Sequence, residues 1–201
     1  MTANRRIVLA SGSPRRRELL ARLGVPFEVV VSGVDESSAT PTAPELTVEL
    51  AERKARAVAV LRPEDLILGS DTVVEVDGRI LGKPASPAEA LAMLRRLRGR
   101  THRVVTGVVV LDAASGTLHG RAAVTAVTMR DVPDAELTAY VATGESMDAA
   151  GAYAIQGGAA AFVTAVDGEL DTVIGLPTAL VRELLATVGI ALPVAAADAD
   201  R

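Results

Sequence analysis

Cysteine and tryptophan are absent from the 201 residues, and the side-chain amides occur once each, as Asn4 and Gln156. Without cysteine the chain can form no disulfide framework, no thiolate zinc site and no thiol nucleophile. The two histidines, His102 and His119, stand apart in sequence and cannot assemble a multi-histidine metal centre. Any metal must therefore bind oxygen ligands, which suits Mg²⁺ or Mn²⁺. Lysine is nearly as scarce. Of 21 basic residues only Lys54 and Lys83 are lysine, and arginine supplies the rest. Such a skew reflects an arginine- and alanine-favouring background, but a surviving lysine then becomes a candidate for a task that a planar guanidinium cannot serve.

Charge and hydropathy narrow the class further. A net charge of -4 argues against a general nucleic-acid binder, which is usually basic. With 49% hydrophobic residues the chain can bury a substantial core. No apolar run approaches the ~18 residues of a membrane span. Arg5 and Arg6 precede an apolar run too short for a signal peptide, so it reads as a first strand and the expected location is cytoplasmic.

Strand-like and helix-like segments alternate in the first half. Residues 6–10 read as a strand that ends in Ser11-Gly12-Ser13-Pro14, where Ser13 suits an N-cap and Pro14 a first helical residue. A helix to about Leu23, a strand at 27–31, a polar loop at 32–43 and a helix over about 44–61 follow. Residues 66–68 form a short aliphatic strand that leads into Gly69-Ser70-Asp71-Thr72, and Asp77-Gly78 is a type I′ hairpin signal. A helix follows Ser86-Pro87, then two long β-rich segments at 102–111 and 121–130, and a short helix at 134–142. Residues 144–160 have no clear period; a strand at 162–166 and a helix from Pro177 to about Val188 complete the pattern. This predicts an α/β fold with a mixed sheet, as a single domain over 1–193, with a frayed tail at 194–201.

Several positions carry chemistry. The turn Ser11–Pro14 opens a helix whose first turn holds Arg15, Arg16 and Arg17. Cations there oppose the helix dipole, so the turn is a candidate phosphate site; the alternative is a solvated basic turn. No Walker sequence occurs. Lys54 falls on the apolar stripe of Leu46, Leu50 and Val58, so it either snorkels at a helix edge or points from the core side into a cleft. Asp71, after an aliphatic strand, is placed to hold a divalent cation or activate water, or is a plain turn residue. Gly69 leaves room there for a close backbone approach. Glu36 is a second acid on a loop, and Lys83 is held extended before Pro84. Gln156 offers the donor and acceptor needed to read a base edge, or caps a loop. His102, on one strand face with Thr106, reads as structural more readily than as a ligand. Taken together these groups form an inventory for phosphate-ester chemistry.

The motifs A-S-G-S-P-R-R (10–16), V-D-E (34–36), E-R-K-A (52–55), G-S-D-T (69–72), G-K-P (82–84), T-H-x-V-x-T-G (101–107) and G-A-Y-x-I-Q-G (151–157) occur in the order seen in the Maf family. The sequence resembles these nucleoside triphosphate pyrophosphatases over roughly 6–188. The resemblance implies a Maf/ITPase-like fold: a long bent mixed sheet flanked by helices, with two lobes around a central cleft. It implies cleavage of the α–β phosphate bond of dTTP, UTP or modified pyrimidine nucleotides, with a divalent metal. Asp71 would accept the proton and Glu36 would assist, the two also holding the metal. Ser11, Arg15, Arg16, Lys54 and Lys83 would bind the triphosphate. Arg15, Thr72 and Gln156 match positions associated with the dTTP/UTP branch; a 7-methyl-GTP branch tends to carry an aromatic in place of Arg15. The family often has alanine where this chain has Ser70, and lysine where it has Ala149. The alternatives are a nucleotide-sensing regulator of cell division and septum formation and a purine pyrophosphatase acting on ITP, XTP or 7-methyl-GTP. A nucleoside triphosphate is the expected partner, with neither nucleic acid nor membrane, and a homodimer is the default assembly.

Overall fold

The central strands are runs of consecutive apolar residues whose side chains point alternately to opposite faces, so each face can bury a different set of helices. In the computed structural model, which describes residues 5–192, seven strands form one mixed sheet. They are β1 (Ile7–Leu9), β2 (Phe27–Val29), β3 (Leu66–Val76), β4 (Arg79–Leu81), β5 (Thr101–Asp112), β6 (Leu118–Met129) and β7 (Val163–Asp167). The order is β2-β1-β3-β5-β6-β7, with β4 paired on β3. β1 runs parallel to β2 and β3, and the other pairings are antiparallel. The tail expected to fray lies outside the described residues. Among those residues no helix is long and apolar enough to cross a membrane.

Six helices flank the sheet: α1 (Pro14–Ala21), α2 (Ala43–Ala59), α3 (Pro87–Leu97), α4 (Asp134–Ala142), α5 (Leu170–Ile174) and α6 (Thr178–Thr187). Ile7, Leu9, Leu68, Val108 and Val110 meet Leu19 and Leu20 of α1 and Leu184 and Leu185 of α6. The alternate residues Val8, Ala10, Ile67, Val109 and Leu111 meet Ala51, Ala55 and Val58 of α2 on the opposite face. A further core lies toward the other ends of β3, β5 and β6, where Val74, Val76, Val104 and Val127 pack with α3, α4 and the 3-10 turns before β7. The two ends of the long strands thus carry separate cores, and the cleft opens between them.

Two glycines set how deeply α2 settles. A Cβ on Gly69 would lie 2.1 Å from the carbonyl oxygen of Ala51, and one on Gly107 would lie 2.3 Å from the carbonyl carbon of Thr47. Gly69 therefore admits a helix of this chain, and the close approach expected from sequence is made by protein backbone. β3 also differs from its sequence reading. It continues for 11 residues, so Asp71 sits within the strand, paired in register with Gly107, and does not follow its end. Gly-Ser-Asp is turn-forming locally, but antiparallel pairing along β5 overrides that preference. The hairpin expectation is met: Asp77 and Gly78 both have positive φ, 49° and 71°. The helix α5, five residues without a side-chain cap, has no counterpart in the sequence reading.

Gly107→Ala is expected to lower unfolding free energy by about 1–3 kcal/mol through overpacking against α2. Gly82→Ala, whose Cβ meets nothing within 4 Å, is expected to stay within about 0.5 kcal/mol of the parent. Urea denaturation compares them; equal stabilities would show that α2 is not seated on Gly107.

Candidate active site

Because α2 lies on Gly69 and Gly107, the Lys54 side chain one turn further along reaches β3. Lys54 is only 7% exposed and Asp71 only 6%. Lys54 Nζ donates to Asp71 Oδ1 at 2.6 Å and lies 2.7 Å from Glu36 Oε1. The stripe position of Lys54 thus resolves toward the core-side reading, with one ammonium shared by a buried carboxylate and a loop carboxylate. A buried ion pair is costly to desolvate, and removing one partner typically costs about 3–5 kcal/mol. Such a pair is a poor way to stabilise a fold, so its presence in a cleft points to function.

The two acids are held in different states. Burial pushes the Asp71 carboxyl above the ordinary aspartate range, against the opposing charges of Lys54 and Arg16. Partial burial works in the same direction on Glu36, but the hydrogen bond and charge of Lys54, with Lys83 and Arg16 further off, outweigh it and hold Glu36 below the usual glutamate range. One acid is therefore the better proton acceptor and the other the more firmly ionised.

The cleft has a volume of about 610 Å³, and Ser11, Arg15, Arg16, Glu36, Lys54, Asp71, Thr72, Lys83 and Gln156 all line it. Every site residue named from the sequence is thus brought to one cavity. Their surroundings differ. Arg16 turns inward: Nε donates to Gly175 O at 2.9 Å, Nη1 to Ser11 Oγ at 3.2 Å and Nη2 to Thr72 Oγ1 at 3.1 Å. Burial lowers its pKa, with Asp71 and Glu36 opposing. Ser11 Oγ also accepts from the Ser13 backbone at 3.3 Å. Arg15 Nη2 reaches across to Asp148 O at 2.6 Å, and Lys83 pairs with the Asp148 carboxylate. The first-turn arginines Arg15 and Arg16 are thus answered by protein acceptors, so the helix-dipole argument alone does not require a bound anion.

Asp148 was not singled out from the sequence. Its partners lie 65 and 133 positions away, and no local pattern marks it. Ala149 lines the cleft too, so the position where the family often carries lysine belongs to the site and is not peripheral. The segment that bears Gln156 is pinned on several sides. Gly151 N donates to Gly82 O at 3.0 Å, Ala154 N to Tyr140 Oη at 3.0 Å, and Gly158 N to Glu145 Oε2 at 2.9 Å. Ala152 adds a strained positive φ of 63° beside these contacts. Gln156 is exposed at the cleft and caps no backbone group among the described residues. His102 is structural: it lies 2.7 Å from Tyr153 Oη, and burial lowers its pKa to about 4, which keeps the ring neutral.

The donor set can be tested against the expected metal. Among the described residues no group of three or more His, Cys, Asp or Glu side chains gathers into a cage. Asp71 and Glu36 converge on one cation, Lys54, and both offer hard oxygen donors. That fits Mg²⁺, which commonly takes one or two carboxylates and completes its shell with water and substrate phosphates.

The Maf-like protein family profile matches residues 6–188, nearly the whole chain. This chain belongs to the Maf-like family. It is 52% identical over 186 residues to a dTTP/UTP pyrophosphatase of Moorella thermoacetica, covering 92% of this chain and 96% of that one. It is 48% identical over 190 residues to a dTTP/UTP pyrophosphatase of Geobacter metallireducens, covering 94% and 99%. A solved dITP/XTP pyrophosphatase from Mycobacterium abscessus aligns over 64% of this chain and 76% of that one, at 20% identity and a TM-score of 0.38, too slight a likeness to carry an argument.

In this Maf-like protein the shape of the cation at position 54 should matter as much as its charge. Lys54→Arg cannot place a planar fork in a space set for a compact ammonium. The expected loss in triphosphate turnover is on the order of 100-fold, as for a catalytic group displaced by about an ångström. Steady-state rates with circular dichroism as a folding control measure it; a folded variant with parental turnover would show that charge alone suffices.

Proposed function

We propose that this protein is a nucleoside triphosphate pyrophosphatase that hydrolyses the α–β phosphate bond of dTTP and UTP, and of related modified pyrimidine nucleotides, to a nucleoside monophosphate and pyrophosphate. The observation that carries the reading is the buried Asp71 carboxylate, made more basic by burial yet paired with Lys54, in a cleft lined with cations and a second acid. The names of the relatives, at 48–52% identity, support the substrate class.

Asp71 takes the proton of the attacking water. Lys54 keeps Asp71 ionised before the reaction, and burial weakens the solvation of that charge, so the carboxylate is both deprotonated and basic at neutral pH. Arg15 and Lys83, which pair with Asp148 in the cleft, exchange that partner for the phosphates and neutralise the charge of the leaving pyrophosphate. Ser11 and the Arg15 backbone N–H at the start of α1 add donors. Asp71 and Glu36, together with phosphate oxygens, would hold Mg²⁺ or Mn²⁺, which when bound polarises the phosphoryl group and neutralises charge. As the oxygen of water joins one phosphorus, the bridging oxygen leaves with the other product. Gln156 and Thr72 select the base, with Arg15 at the boundary between base and phosphate recognition.

Asp71→Asn keeps the shape and removes the base. Pyrophosphate release from dTTP and UTP is expected to fall about 10²- to 10⁴-fold, with thermal unfolding still cooperative. Chelation of divalent ions should stop the parent enzyme, and Mg²⁺ or Mn²⁺ should restore it. Near-parental turnover by Asp71→Asn would remove Asp71 from the reaction.

A further inference from the structure

The direction of one buried proton bears on which base this cleft accepts. Thr106, on β5, is fully buried and is not itself a lining residue of the cleft. Its Oγ1 donates to the carbonyl oxygen of Thr172 in α5 at 2.7 Å. A hydroxyl has a single proton, and a carbonyl can only accept. The 3.0 Å contact between the Thr106 and Thr72 hydroxyls must therefore run the other way, with Thr72 donating and Thr106 accepting. Arg16 Nη2 donates to the same Thr72 oxygen at 3.1 Å, and a guanidinium cannot accept. Thr72 has then committed its proton to the interior and one lone pair to Arg16. What it can still offer to the cleft it lines is a second lone pair, and no proton.

This polarity restricts what Thr72 can meet. Ionised phosphate oxygens are acceptors, so Thr72 is unsuited to the triphosphate. It suits an N–H or O–H donor. Uracil and thymine carry an imide N–H at N3, where cytosine carries a lone pair. The nucleotides named for the relatives, dTTP and UTP, share that imide.

We propose that Thr106 is a positioning residue for base selection: by accepting the Thr72 proton it fixes Thr72 as an acceptor for the imide N3–H of uracil or thymine. The proposal rests on the reading in which a pyrimidine triphosphate occupies the cleft with Thr72 against its base. Two acceptors facing each other in a desolvated site leave both unpaired, which disfavours cytosine on the order of 10- to 100-fold. A Thr72 hydroxyl released from Thr106 can rotate and donate, and so serves either base. Arg16 and the carbonyl of Thr172 hold the two ends of the relay, tying base selection to α1 and α5.

The test is kcat/KM for pyrophosphate release from UTP and from CTP in the parent, Thr106→Val, Thr106→Ser and Thr72→Val. The parent should prefer UTP. Thr106→Val should lower the UTP-to-CTP ratio about tenfold, mainly through KM, and Thr106→Ser, which restores the acceptor, should recover it. If Thr106→Val does not fold, Thr106→Ala carries the same expectation. A folded Thr106→Val or Thr106→Ala variant that keeps the parental ratio overturns the proposal, as does a parent indifferent between UTP and CTP. A change in the ratio of UTP to 3′-deoxy-UTP with the UTP-to-CTP ratio unmoved also overturns it, by placing Thr72 against the sugar. Thr72→Val separates the two layers. If it leaves the UTP-to-CTP ratio at the parental value, the placement of Thr72 against the base fails; if it shifts the ratio and Thr106→Val does not, the relay alone fails.

Discussion

The active cleft depends on how closely one helix can approach the sheet. α2 lies against β3 and β5 at Gly69 and Gly107, where a single Cβ would collide with its backbone. That seating brings Lys54 within 2.6 Å of Asp71. With a side chain at either glycine the helix would stand off, and an ammonium carried on it would no longer meet a carboxylate in the middle of a strand. Two residues with no side chains thus control the most highly charged contact in the interior.

From that contact the electrostatics of the cleft follow. Burial makes Asp71 reluctant to ionise, and Lys54 and Arg16 counter this. The same Lys54 holds Glu36 in the ionised state. Arg16 faces inward, where it links α1 to Gly175 and Thr72, while Arg15 and Lys83 converge on Asp148 across the cleft. The cations thus divide by surroundings. Lys54 and Arg16 answer protein groups at the acids, and Arg15 and Lys83 lie where a phosphate chain can compete with a single aspartate.

Much of this was legible in the sequence where local chemistry decides. The 3.6-residue stripe of α2 marked Lys54 as an anomaly on the apolar face, without deciding between snorkelling and the cleft, and the positive-φ requirement of a two-residue hairpin identified Asp77-Gly78. The order of motifs along the chain brought the site residues together before any fold was known. Where partners are distant in sequence, the reading failed. Gly69-Ser70-Asp71 reads locally as a turn, and only the register with β5 keeps it in a strand. Gly69 suggested room for a ligand but accommodates α2. Asp148 and the Thr72–Thr106–Thr172 relay owe their roles to contacts across 34 or more positions, which periodicity and capping rules do not detect.

Burial raises the Asp71 pKa while Lys54 restrains it. Carboxyl ¹³C titration of Asp71, in the parent and in Lys54→Met, tests this without depending on turnover. The parental midpoint should lie above the ordinary aspartate value of about 3.9, and should shift further upward when the ammonium is removed. An Asp71 that titrates at or below the ordinary value, or that is indifferent to the loss of Lys54, would contradict it.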